Sequence, residues 1–302
     1  MCVYLSLRWA PVLLVWTFIL WIYCTYAIIF CLIIVEPISV KLIFLIVFHI
    51  LFFLMLWSNV QTVYTPVRRP PEHFNLPLQI RAEMRAAATS RLQVNAILER
   101  FISDQKIVSV SRFNNGDVRY CTECYCIKPN RCHHSSALGH CVLKLDHHCP
   151  WVNSCINFNN YKFFVLFISY VFALCLFGFF TILPYFIAIW QIDEGSKPYI
   201  VWRLLVSLLF LVTGPLGLST GGLFIYHLFL ISKNLTTLES MGLPILAHGK
   251  DSRGFDLGIR RNFGEVFGTD KLNRGDGINY PQKPNQTAEG GTSDMNFLSV
   301  SI

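Results

Sequence analysis

Residues 163–190 read FFVLFISYVFALCLFGFFTILPYFIAIW, 28 consecutive positions without Asp, Glu, Lys, Arg or His. A hydrocarbon layer about 30 Å thick takes about 20 apolar residues of helix to cross. Backbone amides there have no water to bond, so a helix is the natural way through. Working outward, three more stretches meet the same test: Pro11 to Ile34, Lys41 to Val60, and Leu204 to Ile231. The first follows Arg8 and could be mistaken for a secretion signal. Its apolar run is much longer than a signal's core and lacks a small-residue cleavage site, so it is read as a retained span.

Composition agrees. The 302 residues are 53% hydrophobic and only 14% charged, against about 25% charged in ordinary soluble domains. The net charge of +7 could suggest nucleic acid, but the basic residues flank apolar spans and do not form one aromatic-interleaved run. A bilayer, not nucleic acid, is the expected partner. The segment 61–162 between spans two and three carries 13 Lys and Arg residues. The links between spans one and two, and between three and four, are short and close to neutral. The positive-inside rule then puts residues 61–162 and both termini in the cytosol. The expected organisation is spans one and two in 1–60, a cytosolic segment in 61–162, spans three and four in 163–231, a cytosolic segment in 232–270, and a disordered Asn/Gly/Ser-rich tail in 271–302. Within 61–162, Leu78 to Ile102 reads as an amphipathic stretch, lying on the bilayer or packed on a neighbouring domain. Asn234 and Asn285 begin glycosylation patterns that a cytosolic location would leave unused.

Seven of the 11 cysteines and five histidines fall within residues 121–155. A reducing cytosol would keep these thiols free for metal or chemistry. Zinc favours four tetrahedral Cys or His ligands, and Cys121-x-x-Cys124 supplies two in one turn. His134 and Cys141 are the natural completion. Downstream, Asp146-His147-His148-Cys149-Pro150-Trp151 sets a thiol beside imidazoles and a carboxylate. A thiolate is the reactive form, so a base and an orienting acid suit a nucleophile. His147 could take the proton and Asp146 hold the ring, with a turn at Pro150 bringing them together. The competing reading, Cys149 and both histidines as metal ligands, stays open from spacing alone. What favours chemistry is that span three begins about a dozen residues later, so the thiol lies near lipid.

These residues resemble the DHHC-type protein S-acyltransferases (palmitoyltransferases). The matching run is Arg119-Tyr-Cys-Thr-Glu-Cys124, Lys128-Pro-Asn-Arg131, His133-His134, Cys141, Leu145 to Asn153, Cys155 and Asn160 to Phe164. Thr236-Thr237-Leu238-Glu239 and the pattern around Asn262 with Val266-Phe267-Gly268 follow in order. With the spans, the likeness covers about residues 10–268 and is closest to the short four-span members.

The resemblance implies an all-α membrane fold of four transmembrane helices, with a zinc-bound Cys/His-rich domain between spans two and three. It implies that Cys149 takes a fatty acyl group from a long-chain acyl-coenzyme A and passes it to cysteines of membrane-associated proteins. His147 would be the general base and Asp146 its orienting acid, with Thr237 in contact with Asp146. The acyl chain would lie near Trp151, Phe164 and Phe167. Golgi, endoplasmic reticulum or plasma membrane would be the location. Family domains hold two zinc ions. The first set maps onto Cys121, Cys124, His134 and Cys141. The second keeps His148 and Cys155, but its two cysteines are Ser135 and Leu138 here. One zinc is therefore expected, with Cys126, Cys132, His133 and His140 as the only nearby replacements for a second. A loosened, catalytically weak or inactive adaptor that retains the fold is the alternative reading.

Overall fold

The computed structural model describes residues 2–108, 111–190, 200–246, 249–250, 254–268 and 275–280. Among them, four helices are long and apolar enough to cross a membrane, giving a multi-pass, mostly helical protein. Helix α1 (Cys2–Tyr23) continues as a π-helix, Cys24–Ile34. After it come α2 (Ile38–Tyr64), α5 (Tyr161–Ile189) and α6 (Ile200–Ser232). The helices outrun the apolar stretches by four residues at Tyr64 and at Ile200, and by nine at Cys2. Backbone bonding, not hydropathy, ends a helix, so polar interfacial residues are carried along.

The four spans expose apolar side chains such as Leu14, Ile43, Phe53 and Leu218 outward, which water would not tolerate in such number but lipid does. Their shared interior is aromatic: Tyr26, Phe30, Phe48, Phe52 and Met55 pack with Ile182, Val206 and Leu209. Because lipid is as apolar as that interior, close backbone approach must supply the attraction. Spans α5 and α6 achieve it with glycines. An added Cβ at Gly221 would come within 2.6 Å of the Phe172 ring, and one at Gly217 within 3.1 Å of Cys175.

Between α2 and α5 the chain makes two short helices and three hairpins. The amphipathic stretch is broken into α3 (Leu78–Ala86) and α4 (Arg91–Asp104), the second capped by the Ser90 side chain. Leu98 and Phe101 of α4 are buried with Phe74, Leu76, Val118 and Ile127, so of the two readings the packed one holds. The all-helical expectation also lacks the hairpins: β1 (Tyr120–Cys121) with β2 (Cys126–Ile127), β3 (His133–Ser135) with β4 (His140–Val142), and β5 (His147–Cys149) with β6 (Ser154–Ile156). Helical periodicity is the wrong guide for strands of two and three residues, which are too short to show a period.

Past α6, α7 (Thr237–Met241) starts with a capping box in which Thr236 and Glu239 satisfy each other's backbone amides. The last described helix, α8, is Ile259–Phe267. Residues 275–280 fall in the stretch expected to be disordered, yet they pack on the domain. Arg68 donates to the Asp276 carbonyl at 2.9 Å, and Tyr280 is buried against Phe255. Composition sees the polar majority there and misses one anchoring aromatic. Residues 271–274 and 281–302, with Asn285, lie outside the described residues.

Candidate active site

Strand alternation organises the β5–β6 hairpin. Successive side chains point to opposite faces, so His147 and Cys149 share one face and His148 takes the other. The register pairs His148 with Cys155, and Cys149 with Ser154. No turn is needed to bring His147 and Cys149 together, contrary to the expectation from spacing. The turn does a different job: Pro150–Val152 forms one 3-10 turn and Asn153 adopts φ 46°, a left-handed conformation Asn tolerates better than most residues. That closes the hairpin and aims its Cys149 face at the spans.

Cys149 is buried beside Phe164, Val165 and Ile168 of α5, with Ile231 of α6 and Val266 of α8 in the same cluster. Phe167 borders it. Trp151 does not join it, standing 55% exposed. The structure thus gathers Phe164 with the thiol, sets Phe167 at the edge of that cluster, and leaves Trp151 outside it.

His147 Nδ1 lies 2.6 Å from Asp146 Oδ2. Asp146 is itself buried, and its carboxylate accepts from the Thr237 amide at 2.9 Å and from Thr237 Oγ1 at 2.8 Å. Burial pushes Asp146 up, but the hydrogen bond and charge of His147 and the Thr237 amide outweigh it, holding the carboxyl below its usual range. Burial likewise pulls His147 down. Its hydrogen bonds to Asp146 and Cys149 and their charges outweigh this, and His147 is pushed up to about 9. A carboxylate, an imidazole and a thiol are therefore linked in sequence, the imidazole in the middle.

Sequence reasoning missed His227 of α6. Its Nδ1 is 3.0 Å from Tyr161 Oη. The Phe164 ring meets both imidazoles edge-on, with centroids 5.2 Å from His147 and 5.1 Å from His227. A lone His in a span is a usable signal, since ionisable residues there are costly and face the bundle interior.

Behind the hairpin, Arg131 is wholly buried. It forks onto Glu239 (Nε to Oε1 2.9 Å, Nη2 to Oε2 2.6 Å) and donates to Asn234 Oδ1 at 2.8 Å. Phe255 and Tyr280 lie against its guanidinium at 4.8 and 5.1 Å. Lys144 pairs with Glu265 at 2.6 Å. This network ties the Cys/His-rich module to α7 and α8. It also buries Asn234, which is held at four contacts and so is no glycan acceptor in this fold.

The first metal set is gathered. Ligand atoms of Cys121, Cys124, His134 and Cys141 lie within 4.8 Å of one another. His134 Nδ1 is 3.4 Å from Cys121 Sγ and 3.3 Å from Cys124 Sγ. Zinc bonds of about 2.3 Å to sulfur and 2.0–2.1 Å to nitrogen put tetrahedral ligands roughly 3.5–3.8 Å apart, so the set fits zinc. His134 and Cys141 are direct cross-strand partners, which is why residues seven apart can share an ion. Cys126 and Cys132 pack into this same cluster with Cys141 and Leu143, away from His148 and Cys155. Among the described residues it is the one such group.

The thiol faces the start of α5 and the end of α6 in a multi-pass membrane protein. Comparison with known proteins makes the assignment specific. The model of the DHHC palmitoyltransferase family matches residues 114–243. Palmitoyltransferase ZDHHC15 of Xenopus laevis is 36% identical over 293 residues, 93% of this chain and 84% of that protein. Palmitoyltransferase ZDHHC2 of Danio rerio is 37% identical over 283 residues, 91% of this chain and 77% of that protein. Palmitoyltransferase ZDHHC20-B of Danio rerio is 36% identical over 290 residues, 93% and 85% respectively. The chain belongs to the DHHC palmitoyltransferase family and is a protein S-acyltransferase.

Proposed function

We propose that the chain moves a fatty acyl group from a long-chain acyl-coenzyme A to cysteines of membrane-associated proteins through a thioester on Cys149. In the first step the Cys149 sulfur attacks the thioester carbonyl, the bond to coenzyme A sulfur breaks, and free coenzyme A thiol leaves with the proton. In the second, a substrate cysteine attacks the acyl-Cys149 carbonyl. His147 takes that cysteine's proton and returns it to the departing Cys149 sulfur, so the enzyme ends as it began. Asp146 keeps Nδ1 of the ring engaged, which leaves Nε2 for proton traffic. Thr237 holds Asp146.

The observation that carries this reading is the double environment of Cys149: His147 on its own strand face and the apolar start of α5 on the other side. Each buried CH2 of an acyl chain is worth about 0.8 kcal/mol. A chain running from the thioester past Phe164 and Phe167 would therefore hold the donor through its tail. Zinc at Cys121, Cys124, His134 and Cys141 would supply folding free energy to the module. The basic segment 61–162 supports a cytosolic location for the hairpins and both termini, in a Golgi, endoplasmic reticulum or plasma membrane.

The test is labelling of purified full-length protein with a clickable fatty acyl-coenzyme A. Label that hydroxylamine removes and Cys149→Ser abolishes is the expected result. Folded, zinc-loaded protein that takes no label would overturn the proposal and favour the adaptor reading.

A further inference from the structure

The second zinc set of the family falls on Ser135, Leu138, His148 and Cys155, and the structure does gather these residues. What it makes of them is not a metal site. Ser135 Oγ is 3.2 Å from Cys155 Sγ, in place of two thiolates converging on an ion. The same hydroxyl accepts the Leu138 amide at 3.3 Å. Leu138 packs against Cys155, Val142 and Leu145, with Val67 and Leu238 at the edge of the cluster. His148 Nδ1 lies 3.6 Å from Cys155 Sγ, a hydrogen-bond contact between the cross-strand partners. A leucine has no lone pair to offer and a neutral hydroxyl is a poor zinc donor, so one thiol and one imidazole remain where four ligands are needed. Cys126 and Cys132, the nearby thiols that could replace them, pack at the first site, and His140 Nδ1 is engaged with the Cys141 carbonyl at 3.0 Å.

Something else must then fasten the β5–β6 hairpin to its neighbours. The Ser135–Cys155 bond joins β3–β4 to β5–β6. The Leu138 cluster fills the space between them and reaches Leu238 of α7. The start of the first span closes the outer side: Arg8 Nη1 donates to the Ala137 carbonyl at 3.2 Å. Trp9 and Pro11 face Leu138, His148 and Pro150 across a cavity of about 410 Å³.

We propose that the turn Ser135–Leu138 is a metal-free brace: an apolar plug and a hydroxyl–thiol bond hold the Cys149 hairpin, and the chain carries one zinc. That the braced hairpin carries the reactive thiol rests on the function proposed above. The metal count does not depend on acyl transfer, so either claim can fail alone.

Elemental analysis of the purified full-length protein tests it. The expected content is one zinc per chain, unchanged in His148→Ala, and two in the double variant Ser135→Cys with Leu138→Cys. Two zincs in the unaltered protein, or a loss on His148→Ala, would refute the brace. A folded double variant that stays at one zinc would refute its placement at the vacated site. Leu138→Asp supplies a second measurement should the double variant not fold. It should lower the thermal midpoint by several degrees at an unchanged zinc count while Leu138→Met does not. Equal midpoints for the two would also count against the plug.

Discussion

Thr237 holds Asp146 at two points, its amide on Oδ1 at 2.9 Å and its hydroxyl on Oδ2 at 2.8 Å. The two residues are 91 positions apart in the chain, yet the second oxygen of that carboxylate is the one bonded to His147. The start of α7 thereby sets the orientation of an imidazole in another hairpin. Thr237→Val keeps the shape and the amide but removes the hydroxyl donor. A hydrogen bond to a charged group is worth roughly 1.5–3 kcal/mol, so acyl turnover should fall by about 10- to 100-fold. Thr237→Ser should restore most of it. A stability-only role would leave the pH dependence of turnover unmoved. Orientation of the imidazole predicts that Thr237→Val shifts it toward lower pH.

The Asp146–His147 pair also makes stability depend on pH. His147 titrates near 9 in the fold against 6.5 for a free imidazole. Its contribution is therefore fully present below about pH 6.5 and lost as pH rises through about 9. Asp146 is held below its ordinary 3.8, so its share is present above that value and lost on further acidification. Thermal midpoints of the unaltered protein and of His147→Ala should differ most near pH 6, and the gap should shrink above pH 9. A gap that widens with pH would contradict the assigned pairing.

Arg131 is a buried charge whose partners cannot be left alone. Its side chain is 0% exposed beside Glu239, at 5%. Removing one member of such a pair costs roughly 3–5 kcal/mol because the other charge stays buried. Arg131→Met should lower the unfolding midpoint sharply, and Arg131→Lys should not rescue it, since a point charge cannot reproduce the fork onto Glu239. The comparison is Arg91→Ala. Its ion pair with Asp117 is 2.8 Å long but 62% exposed on the arginine side, and exposed pairs are worth about 0–1 kcal/mol.

Adjacent glycines on α6 should respond in opposite ways. A Cβ at Gly221 meets the Phe172 ring, while one at Gly222 meets nothing within 4 Å. Gly221→Val should separate α5 from α6, lowering the thermal midpoint in detergent and acylation together. Gly222→Val should leave both near their original values.

Thiols around the first metal set should divide by geometry. Cys141→Ser removes a ligand, so zinc content should drop to near zero and the three hairpins should become open to limited proteolysis. Cys126→Ser leaves the four-ligand set intact and should keep one zinc.

Much of the protein was legible in its sequence. Spans are readable because the bilayer acts on composition: about 20 apolar residues must form a helix, whatever else the chain does. Cys121 and Cys124 are readable as candidate metal ligands because a turn brings near neighbours together. Asp146-His147-His148-Cys149 is readable as a candidate reactive group because few other needs put those side chains in a row.

Only the folded chain decided which neighbour each histidine faces. The resemblance separates His147 from His148 by role, not by position in space. Strand alternation separates them, turning the first toward Cys149 and the second toward Cys155. The partnership of Arg131 with Glu239, the stacking of Arg131 on Tyr280, and the approach of His227 to Phe164 likewise join residues 63 to 149 positions apart. Nothing local favours such contacts; they form because a low-dielectric interior leaves a buried charge or polar ring no other partner. The sequence by itself determined how many times the chain crosses the membrane and which groups could react. Tertiary structure decided which of those groups meet, because hydrogen bonds and metal bonds act over about 3 Å, and only packing brings distant residues that close.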